Sequence, residues 1–550
     1  MNEGSDATQA FDYVIVGGGS AGCVLANKLS ANPSLRVLLI EAGPPDTSPL
    51  IHMPRGLGKL YGSSQYTYSY EVYRDEQRRN RPEAWLRGRG LGGSSSINGL
   101  MYQRGHQEDY NHWERDLGLA GWGWNSFGRI FRNMEDHQLG ANEYRGAGGP
   151  QAVSVNGNRT VLMDKVIEAG GQLGLRQFQD ASTPEQEGIG YLNATIRKGR
   201  RWSAAKGFLD PVRHRSNLTI LTDTEIEKIV FEGTRAVGVE GVSQGFKVKY
   251  RAGREVLLTA GAMNSPKLLQ LSGIGPATHL QALGIPVIQN SPNVGTNLRE
   301  HLVFRIQYRL TGEFSQNRDH AGWRLALNGL RYMLTHGGLL SYPPYDVTAF
   351  VRTRPNLDRP DAQLVCAAMS MDLGKDEEGF TVDVKLEQEP GATIIGYNMR
   401  PESQGIVMIS SADPRGALHV AANYLSHPLD REISIATVRY MRQLFEHPVV
   451  KPYIKAETLP GPAVQTDDEI LAAYGSVAGP GYHATGTCRM GTDANSVVDE
   501  RLHVRGVSGL RVADISIFPT LVSGNTNGPA MAAAWRASEI ILEDAGLAAP

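Results

Sequence analysis

Cysteine, long apolar runs and net charge are all scarce in this sequence of 550 residues. The three cysteines, Cys23, Cys366 and Cys488, are far apart and form no CxxC pair. This argues against a disulfide framework and a thiolate metal site. Since no HExxH, paired-histidine or acidic metal loop occurs either, we expect no metal. The 55 basic and 57 acidic side chains give a formal net charge of -2, so nothing indicates nucleic acid as a partner.

A run of about 18 apolar residues, long enough to cross a membrane, does not occur. The first residues, MNEGSDATQA, are polar and acidic, whereas a secretory leader would be basic and then apolar. We therefore expect a cytoplasmic protein, and the scarcity of cysteine agrees with a reducing compartment. Peripheral attachment to a membrane stays open, because an interfacial helix does not show in hydropathy alone.

Glycine is abundant instead, with 63 residues in clusters, and the first cluster follows a short apolar run at 13–16. Residues 17–22 make a GxGxxG motif, residues 23–29 have helical spacing, and residues 36–41 form a second apolar run. This order predicts a strand, a glycine turn, a helix and a strand, which together open a doubly wound α/β fold.

Each glycine of the motif has a physical task at a dinucleotide site. Gly17 allows the tight turn, Gly19 lets the backbone approach a pyrophosphate, and Gly22 lets the helix pack on the strand. The free N–H groups at the start of the helix then face the phosphates. Glu41, 19 residues after Gly22, is placed to accept hydrogen bonds from a ribose diol and would repel the 2′-phosphate of NADP.

The same cluster also matches a different reaction class. Residues 18–22 and 241–245 both have the pattern GxSxG of a hydrolase nucleophile elbow, with Ser20 and Ser243 at the centre. A hydrolase elbow lies in mid-sheet after several strands, whereas Ser20 follows the first predicted strand and Ser243 falls in a predicted hairpin loop. A serine hydrolase is thus a remote alternative to a dinucleotide-binding enzyme.

The rest of the chain alternates glycine-rich segments with regular elements. The segment 87–105 is too rich in glycine and serine for a regular element. We predict a β-meander at 218–261 that returns to the main sheet, a helix at 262–282 and a last helix at 530–544. The middle, 300–475, is the candidate substrate domain. Its predicted helices are at 323–335 and 433–445, and its predicted strands at 393–399 and 405–409.

Two loops of small residues near the end of the chain carry the candidate catalytic residues. His483 lies in GYHATGT, and Asn525 lies 42 residues later in SGNTNGP. Glycine and threonine let a backbone approach a ligand closely. A histidine base and an amide brought together by such loops suit removal of a proton and binding of an alkoxide.

These segments resemble the glucose-methanol-choline (GMC) family of FAD-dependent oxidoreductases, over essentially the whole chain. The likeness rests on DYVIVGGGSAGCVLANKLS near the start, GRGLGGSSSINGLMYQRG at 88–105, GAMNSPKLLQLSGIG at 261–275, and YHATGTCRMG with VADISIFPTLVSGNTNGP near the end. Bacterial members that act on alkanols, aromatic alcohols or polyethers look most similar.

The resemblance implies a mixed α/β fold with a Rossmann-like FAD-binding domain and a discontinuous substrate-binding domain built on a β-sheet flanked by helices. The FAD-binding domain would comprise 1–155, 205–300 and 476–550, and the substrate-binding domain 156–204 and 301–475. The residues implied to hold FAD are Gly17, Gly19, Ser20, Ala21, Gly22, Glu41, Ala42, Arg89, Gly92, Gly93, Ser94, Asn98, Gly99, Met101, Ile226, Ala260, Gly261, Tyr482, Ala513, Asp514, Asn527 and Pro529.

The resemblance also implies the reaction, oxidation of an alcohol to the aldehyde. His483 would take the hydroxyl proton, Asn525 would hydrogen-bond the developing alkoxide, and the hydride would pass to flavin N5. Ile97 stands where some relatives carry a histidine bonded to the flavin, so we expect FAD to be held non-covalently. Gly481, often larger in relatives, is interpreted as enlarging a substrate pocket that Tyr482 also lines. With the resemblance, this favours an aromatic or otherwise bulky primary alcohol.

Several questions stay open at this point. The electron acceptor would be oxygen, or a quinone or other carrier, and the sequence does not give the oligomeric state. A flavin-containing lyase of the same family, in which FAD is structural and the histidine does acid–base work on a cyanohydrin, is an alternative. An NAD-dependent dehydrogenase would account for the first motif only, and a non-catalytic cofactor-binding protein would leave His483 and Asn525 without a role.

Overall fold

The computed structural model describes residues 10–73, 83–375 and 381–548. Residues 1–9, on which the expectation of no secretory leader mainly rested, lie outside these ranges. Within the described ranges, no helix is both long and apolar enough to span a bilayer. In that part of the chain, no three His, Cys, Asp or Glu side chains are grouped so as to hold a metal ion.

The helices of the described residues are α1 (Ser20–Leu29), α2 (Pro49–His52), α3 (Leu57–Leu60), α4 (Gln107–Arg115), α5 (Trp124–Met134), α6 (Val161–Gln172), α7 (Gly261–Leu271), α8 (Ala277–Ala282), α9 (Gly322–Thr335), α10 (Pro428–Glu446), α11 (Asp467–Val477) and α12 (Asn527–Asp544).

The strands are β1 (Ala10–Val16), β2 (Val37–Ile40), β3 (Thr67–Val72), β4 (Glu83–Gly88), β5 (Glu135–His137), β6 (Gln151–Val155), β7 (Gly188–Tyr191), β8 (Asn193–Ala194), β9 (Ile196–Arg197), β10 (Arg200–Arg201), β11 (Leu218–Leu221), β12 (Thr224–Glu232), β13 (Arg235–Ser243), β14 (Phe246–Leu258), β15 (Ile274–Gly275), β16 (Gln289–Asn290), β17 (Leu302–Leu310), β18 (Val347–Val351), β19 (Ala362–Ala367), β20 (Met371–Lys375), β21 (Thr381–Leu386), β22 (Gly391–Asn398), β23 (Ile406–Ile409), β24 (Leu418–Ala421), β25 (Ile454–Leu459), β26 (Gly479–Pro480) and β27 (Leu510–Val512).

One seven-stranded sheet is built around β1, in the order β11-β2-β1-β14-β13-β12, with β27 also paired to β14. β1 runs parallel to β2 and to β14, so that Val14 lies beside Leu38 and Val256. All three side chains are fully buried, as in a parallel sheet covered on both faces. The predicted strand, glycine turn, helix and strand is confirmed as β1, α1 and β2.

The predicted meander is confirmed as β12, β13 and β14, which pair antiparallel. β14 has 13 residues, and its second half lies between β1 and β27, so the meander does return to the main sheet. The prediction of one helix at 262–282 is wrong, because α7 ends at Leu271 and α8 begins only at Ala277. Gly273 takes a φ of 85° and Pro276 precedes α8, and together they break the helix.

A second seven-stranded sheet has the order β25-β17-β22-β19-β18-β7, with β26 also paired to β17. Its neighbouring strands are antiparallel, and α10 packs on β22. The strand predicted at 393–399 is confirmed as β22 of this sheet. The one predicted at 405–409 forms β23 of a separate four-stranded sheet with β24, β3 and β4. The division of the chain into two domains stays a prediction.

The three helices predicted in the second half of the chain are confirmed as α9, α10 and α12, each with an earlier start. α10 begins at Pro428 because proline suits the first turn and the His427 side chain accepts the N–H of Leu429. α12 begins at Asn527, within the loop that carries the candidate catalytic amide.

Candidate active site

The carboxyl ends of the parallel strands meet along one edge of the first sheet. The glycine turn follows β1, Glu41 follows β2, Ala260 comes soon after β14, and Asp514 comes soon after β27. Ligands of open α/β sheets bind outside such an edge. A cavity of about 940 Å³ runs from this edge to His483 and Asn525.

Most of the predicted site residues line this cavity. Those on its wall are Gly17, Gly19, Ser20, Ala21, Glu41, Ala42, Gly93, Ser94, Asn98, Gly99, Met101, Ile226, Ala260, Gly261, Gly481, Tyr482, His483, Asp514, Asn525 and Asn527. Residues from the start and the end of the chain, such as Gly17 and Asn525, therefore face one continuous space.

The predicted cofactor residues that do not line the cavity are Gly22, Arg89, Gly92, Ala513 and Pro529. The Arg89 guanidinium donates to the carbonyl of Ala42 (3.0 Å), and the Gly92 N–H donates to the carbonyl of Gly18 (2.8 Å). Ala513 N–H donates to the last residue of β14. Arg89, Gly92 and Ala513 therefore hold the wall of the cavity in place, and their direct contact with a ligand stays a prediction.

The three glycines of the motif differ in what surrounds them. A Cβ on Gly22 would lie 1.9 Å from the carbonyl oxygen of Gly17, so this position packs α1 against the turn. Gly17 has a φ of 110°, and a Cβ there would lie 2.6 Å from the carbonyl of Thr259. A Cβ on Gly19 would meet nothing nearer than the Cα of Gly93 at 3.9 Å. Protein packing alone therefore does not require glycine at position 19, whereas a group bound against it would.

Two helices direct their N-termini to this part of the cavity. α1 starts at Ser20 and α12 at Asn527, and the Ser20 hydroxyl donates to Asn527 Oδ1 at 2.7 Å. Neither helix has a side-chain cap or an acidic residue in its first turn. Their free N–H groups and aligned dipoles make this an anion site, as a pyrophosphate requires.

Glu41 has a structural role that its motif position did not indicate. Its buried carboxylate accepts the N–H groups of Gly18 (2.8 Å), Gly43 and Gly90 (both 2.9 Å). Burial raises the pKa of Glu41, and these three bonds oppose the rise. Oε2 accepts only one of the three bonds in the described structure, so it retains a lone pair with which to accept a ribose hydroxyl.

The hydrolase alternative finds no support in the geometry. The Ser20 hydroxyl is bonded to Asn527, and the Ser243 hydroxyl lies 2.8 Å from that of Thr224. In the described part of the chain, neither hydroxyl is hydrogen-bonded to a histidine, so no base is in place to activate it.

The two predicted catalytic residues are in direct contact. Asn525 Nδ2 lies 3.0 Å from His483 Nε2, and both side chains are almost fully buried. The amide nitrogen can only donate, so this bond requires an unprotonated Nε2. Gln363 Nε2 lies 3.4 Å from Asn525 Oδ1, and the Tyr397 hydroxyl donates to Gln363 Oε1 at 2.5 Å, which together orient the amide.

His301 is a residue that the sequence analysis missed. Its Nδ1 lies 2.8 Å from Nδ1 of His483, and its Nε2 lies 2.8 Å from the carbonyl of Met399. A carbonyl only accepts, so His301 carries its proton on Nε2 and accepts at Nδ1. His483 must then donate from Nδ1, which leaves its Nε2 as a free base. The partners on both sides of His483 thus require the same tautomer.

Strand pairing explains why these histidines meet. His301 immediately precedes β17, and β17 pairs with β26, which ends three residues before His483. Gly481 N–H donates to the carbonyl of His301 at 2.7 Å. The Glu300 carboxylate accepts the backbone N–H groups of both His301 (2.9 Å) and His483 (2.6 Å). Burial raises the pKa of Glu300 to about 7, while Arg87 at 3.4 Å acts to lower it.

Burial also sets the charge of the two histidines. It lowers the pKa of His483 well below the ordinary value of 6.5, and Arg87 lowers it further. Burial lowers the pKa of His301 to about 4. Both imidazoles are therefore neutral at neutral pH, and His483 is a base over a wider range than a free imidazole.

The interpretation of Gly481 as a pocket-enlarging position stays a prediction, and packing gives a second reason for glycine there. A Cβ on Gly481 would lie 2.9 Å from Nδ1 of His483 and 3.0 Å from Cβ of His301. The histidine pair fills the space that a side chain would need, so glycine is required there by packing. Tyr482 next to it takes a left-handed φ of 62° and contributes its ring to the cavity wall.

A cavity with a GxGxxG turn and two helix N-termini at one end and a neutral histidine base at the other is typical of cofactor-dependent oxidoreductases. The N-terminal profile of the GMC oxidoreductases matches residues 11–303, and the C-terminal profile matches residues 401–534. The chain therefore belongs to the GMC oxidoreductase family, whose members bind FAD and act on CH–OH groups.

Individual relatives agree with this assignment. The chain is 39% identical over 543 residues to an alcohol dehydrogenase (acceptor) of Pseudomonas putida, covering 98% of this chain and 97% of the relative. It is 38% identical over 548 residues to the mitochondrial choline dehydrogenase of Homo sapiens, covering 98% and 91%. A crystal structure of pyridoxine 4-oxidase from Mesorbium loti superimposes with a TM-score of 0.86 at 30% identity, covering 96% of this chain and 98% of the other.

The residues present fit FAD. The open space at Gly19 and the two uncapped helix N-termini suit its pyrophosphate, and Glu41 suits its ribose. Ile97, from which we expect FAD to be held non-covalently, is buried beside Ile51 and Leu60 and offers no nucleophile. FAD held here supplies the acceptor for a hydride.

Proposed function

We propose that the protein oxidises a neutral primary alcohol, aromatic or otherwise bulky, to the aldehyde, with His483 as the base. The observation that carries this proposal is the pair formed by His483 Nε2 and Asn525 Nδ2, 3.0 Å apart. One atom accepts a hydrogen bond and the other donates one. A hydroxyl group needs this combination, because it donates its own proton and accepts at its oxygen.

The residues of the chain divide the work on the hydroxyl group. His483 Nε2 takes its proton, and the imidazolium that forms is balanced on its far side by His301 Nδ1, which accepts from His483 Nδ1. Asn525 Nδ2 donates to the oxygen as negative charge develops there. A negatively charged oxygen weakens the adjacent C–H bond, and FAD bound beside this site would supply the acceptor for the hydride.

The wall near His483 favours an aromatic or apolar alcohol. Tyr61, Tyr345, Tyr397 and Tyr482 all line the cavity, and the rings of Tyr61 and Tyr482 are 6.4 Å apart. The Tyr397 ring lies 5.9 Å from the His483 ring. Such rings bind an aromatic or aliphatic group by offset stacking and burial.

Charge on the same wall argues against a cationic alcohol such as choline. Burial raises the pKa of Tyr482 to about 12. The charges of Glu83 and Glu300 raise this pKa further, and those of Arg87 and Arg305 lower it. Arg87, Arg305 and Glu83 line the cavity, while Glu300 lies behind the wall beside Arg87. Carboxylates therefore do not outnumber cations on this part of the wall, and a quaternary ammonium group gains no attraction there. A neutral substrate fits this balance.

A substrate panel tests the proposal directly. We expect benzyl-type and long-chain primary alcohols to give a kcat/KM at least about 10² times that of choline, since a buried uncompensated cation is costly. Arg305→Gln removes one cation and should raise the choline value, whereas Arg415→Gln, on an exposed loop, is the matched control. Choline as the better substrate of the unmodified enzyme would contradict the proposal.

A further inference from the structure

The helix α9 has its apolar residues on the outside. Trp323, Leu327, Leu330 and Leu334 recur at a spacing that places them on one side of a helix. These side chains are 70%, 55%, 49% and 75% exposed, and Met333 beside them is 69% exposed. A helix on the surface of a soluble protein normally turns such a stripe inward. We call these five residues the apolar face of α9.

The opposite side of α9 is already attached to the protein. Tyr332 is its buried residue, and the Tyr332 hydroxyl donates to the carbonyl of His52 at 3.2 Å. Asn328 Nδ2 donates to the carbonyl of Asp319 at 3.0 Å. The orientation of the helix is therefore fixed by contacts, and the apolar face cannot turn inward without breaking them.

Basic side chains surround the apolar face. Arg324 and Arg331 lie on α9 itself, and both are exposed. The turn with Lys198 and Arg200 abuts the end of α9, since a Cβ on the intervening Gly199 would lie 1.7 Å from the carbonyl of His336. In the described part of the chain, Lys198, Arg200 and Arg331 form no ion pair, while Arg324 lies 3.4 Å from the carboxylate of Asp319. The first three cations are available to an external anion.

We propose that the apolar face of α9 docks the enzyme on the surface of a membrane that contains anionic lipid. The five apolar side chains would enter the boundary between headgroups and acyl chains, and the surrounding cations would contact lipid phosphates. Trp323 at the start of the helix is of the residue type that favours this boundary.

The charges favour a membrane over a second copy of the chain. A symmetric dimer formed through α9 would bring Arg324 and Arg331 of both copies together, and such like-charge contacts are unfavourable. An anionic lipid surface has the complementary charge. Docking would also place the membrane beside the active-site cavity, because α9 rests on His52 and the next segment supplies Leu57, Tyr61 and other wall residues.

Vesicle co-sedimentation of the FAD-loaded enzyme tests this inference. We expect binding to vesicles of equal parts phosphatidylglycerol and phosphatidylcholine, weaker binding at high salt, and little binding to phosphatidylcholine alone. Leu327→Glu with Leu334→Glu should weaken binding at least about tenfold. Phe246→Glu, at a comparably exposed apolar residue at the start of β14, is the matched control and should bind as the unmodified enzyme does. Activity on a water-soluble alcohol should be the same in all three proteins.

Trp323 gives a second measurement that does not depend on a charge being introduced. Its emission should shift to the blue when anionic vesicles are added, and Trp323→Phe should abolish that shift, because the other described tryptophans are mostly buried. No binding to either vesicle, or binding that the double variant leaves unchanged, would overturn the inference. A dimer that the double variant converts to monomers, without vesicle binding, would assign the face to a second copy and overturn it as well.

Discussion

At the scale of single residues, the protonation of His483 is set by partners far away in the sequence. His301 is 182 positions away, and Gln363, which helps orient Asn525, is 162 positions from that amide. The loop glycines made His483 and Asn525 predictable, because they mark a backbone that approaches a ligand. No spacing rule marks His301, since its role depends on the pairing of β17 with β26.

Removing the His301 imidazole should affect the chemistry more than the fold. In His301→Ala, the buried His483 Nδ1–H loses its acceptor, and we expect kcat to fall about 10–100-fold with FAD retained. Because burial lowers the pKa of His483, the acidic limb of kcat/KM should lie below pH 6.5 in the unmodified enzyme. The variant loses the acceptor that favours the imidazolium, so the limb should move further down. His137→Ala, at another buried histidine, is the control. An unmoved limb in His301→Ala would refute the positioning role.

Ile97 supports a second prediction at this scale. Because an isoleucine side chain has no group that can bond to the flavin, acid precipitation of the FAD-loaded enzyme should release all the flavin into the supernatant. The measurement is the absorbance of pellet and supernatant after centrifugation. Flavin that stays with the precipitated chain through washing in denaturant would show a covalent link elsewhere.

At the scale of elements, sequence patterns predicted secondary structure well where consecutive segments pack against one another. β1, α1 and β2 are consecutive, and their glycine turn is explained by contacts within the unit and with Thr259. The single helix predicted at 262–282 failed because its apolar spacing continues through Gly273 and Pro276, which break it. The sequence predicted the edge strand β23 but not the sheet to which it belongs, because its pairing partner β24 is set by the rest of the fold.

Two glycines of the same turn have different roles, because Gly22 is needed for packing and Gly19 for binding a ligand. Gly19→Ala should leave the folded protein unchanged without ligand, since its Cβ meets no atom nearer than 3.9 Å, but should weaken FAD binding at least about tenfold by obstructing the pyrophosphate. Gly22→Ala should destabilise the protein itself, because its Cβ would lie 1.9 Å from the Gly17 carbonyl. Thermal unfolding of the FAD-free proteins and FAD titration separate the two effects. Equal FAD affinity in Gly19→Ala and the unmodified protein would contradict this assignment.

At the scale of the whole molecule, the candidate active site lies where two sheets meet. The first sheet supplies the glycine turn, Glu41 and Asp514, and the second supplies Ile395 and Tyr397 of β22. β17 of the second sheet also fixes the histidine pair. The FAD half was predictable because its motifs are short and local. The substrate half was not, because its wall is assembled from strands whose sequences resemble ordinary core strands.

Anaerobic mixing of the FAD-loaded enzyme with a panel of alcohols tests the central claim most directly. We predict that a neutral aromatic or long-chain alcohol bleaches the flavin band near ~450 nm, and that His483→Ala retains FAD but is reduced about 10²–10⁴ times more slowly. Fast recovery of the band on admission of air would then mark an oxidase, and slow recovery a dehydrogenase. Near-normal reduction of His483→Ala would contradict the role of the base. A flavin that no alcohol bleaches would contradict the alcohol oxidoreductase itself and favour a lyase.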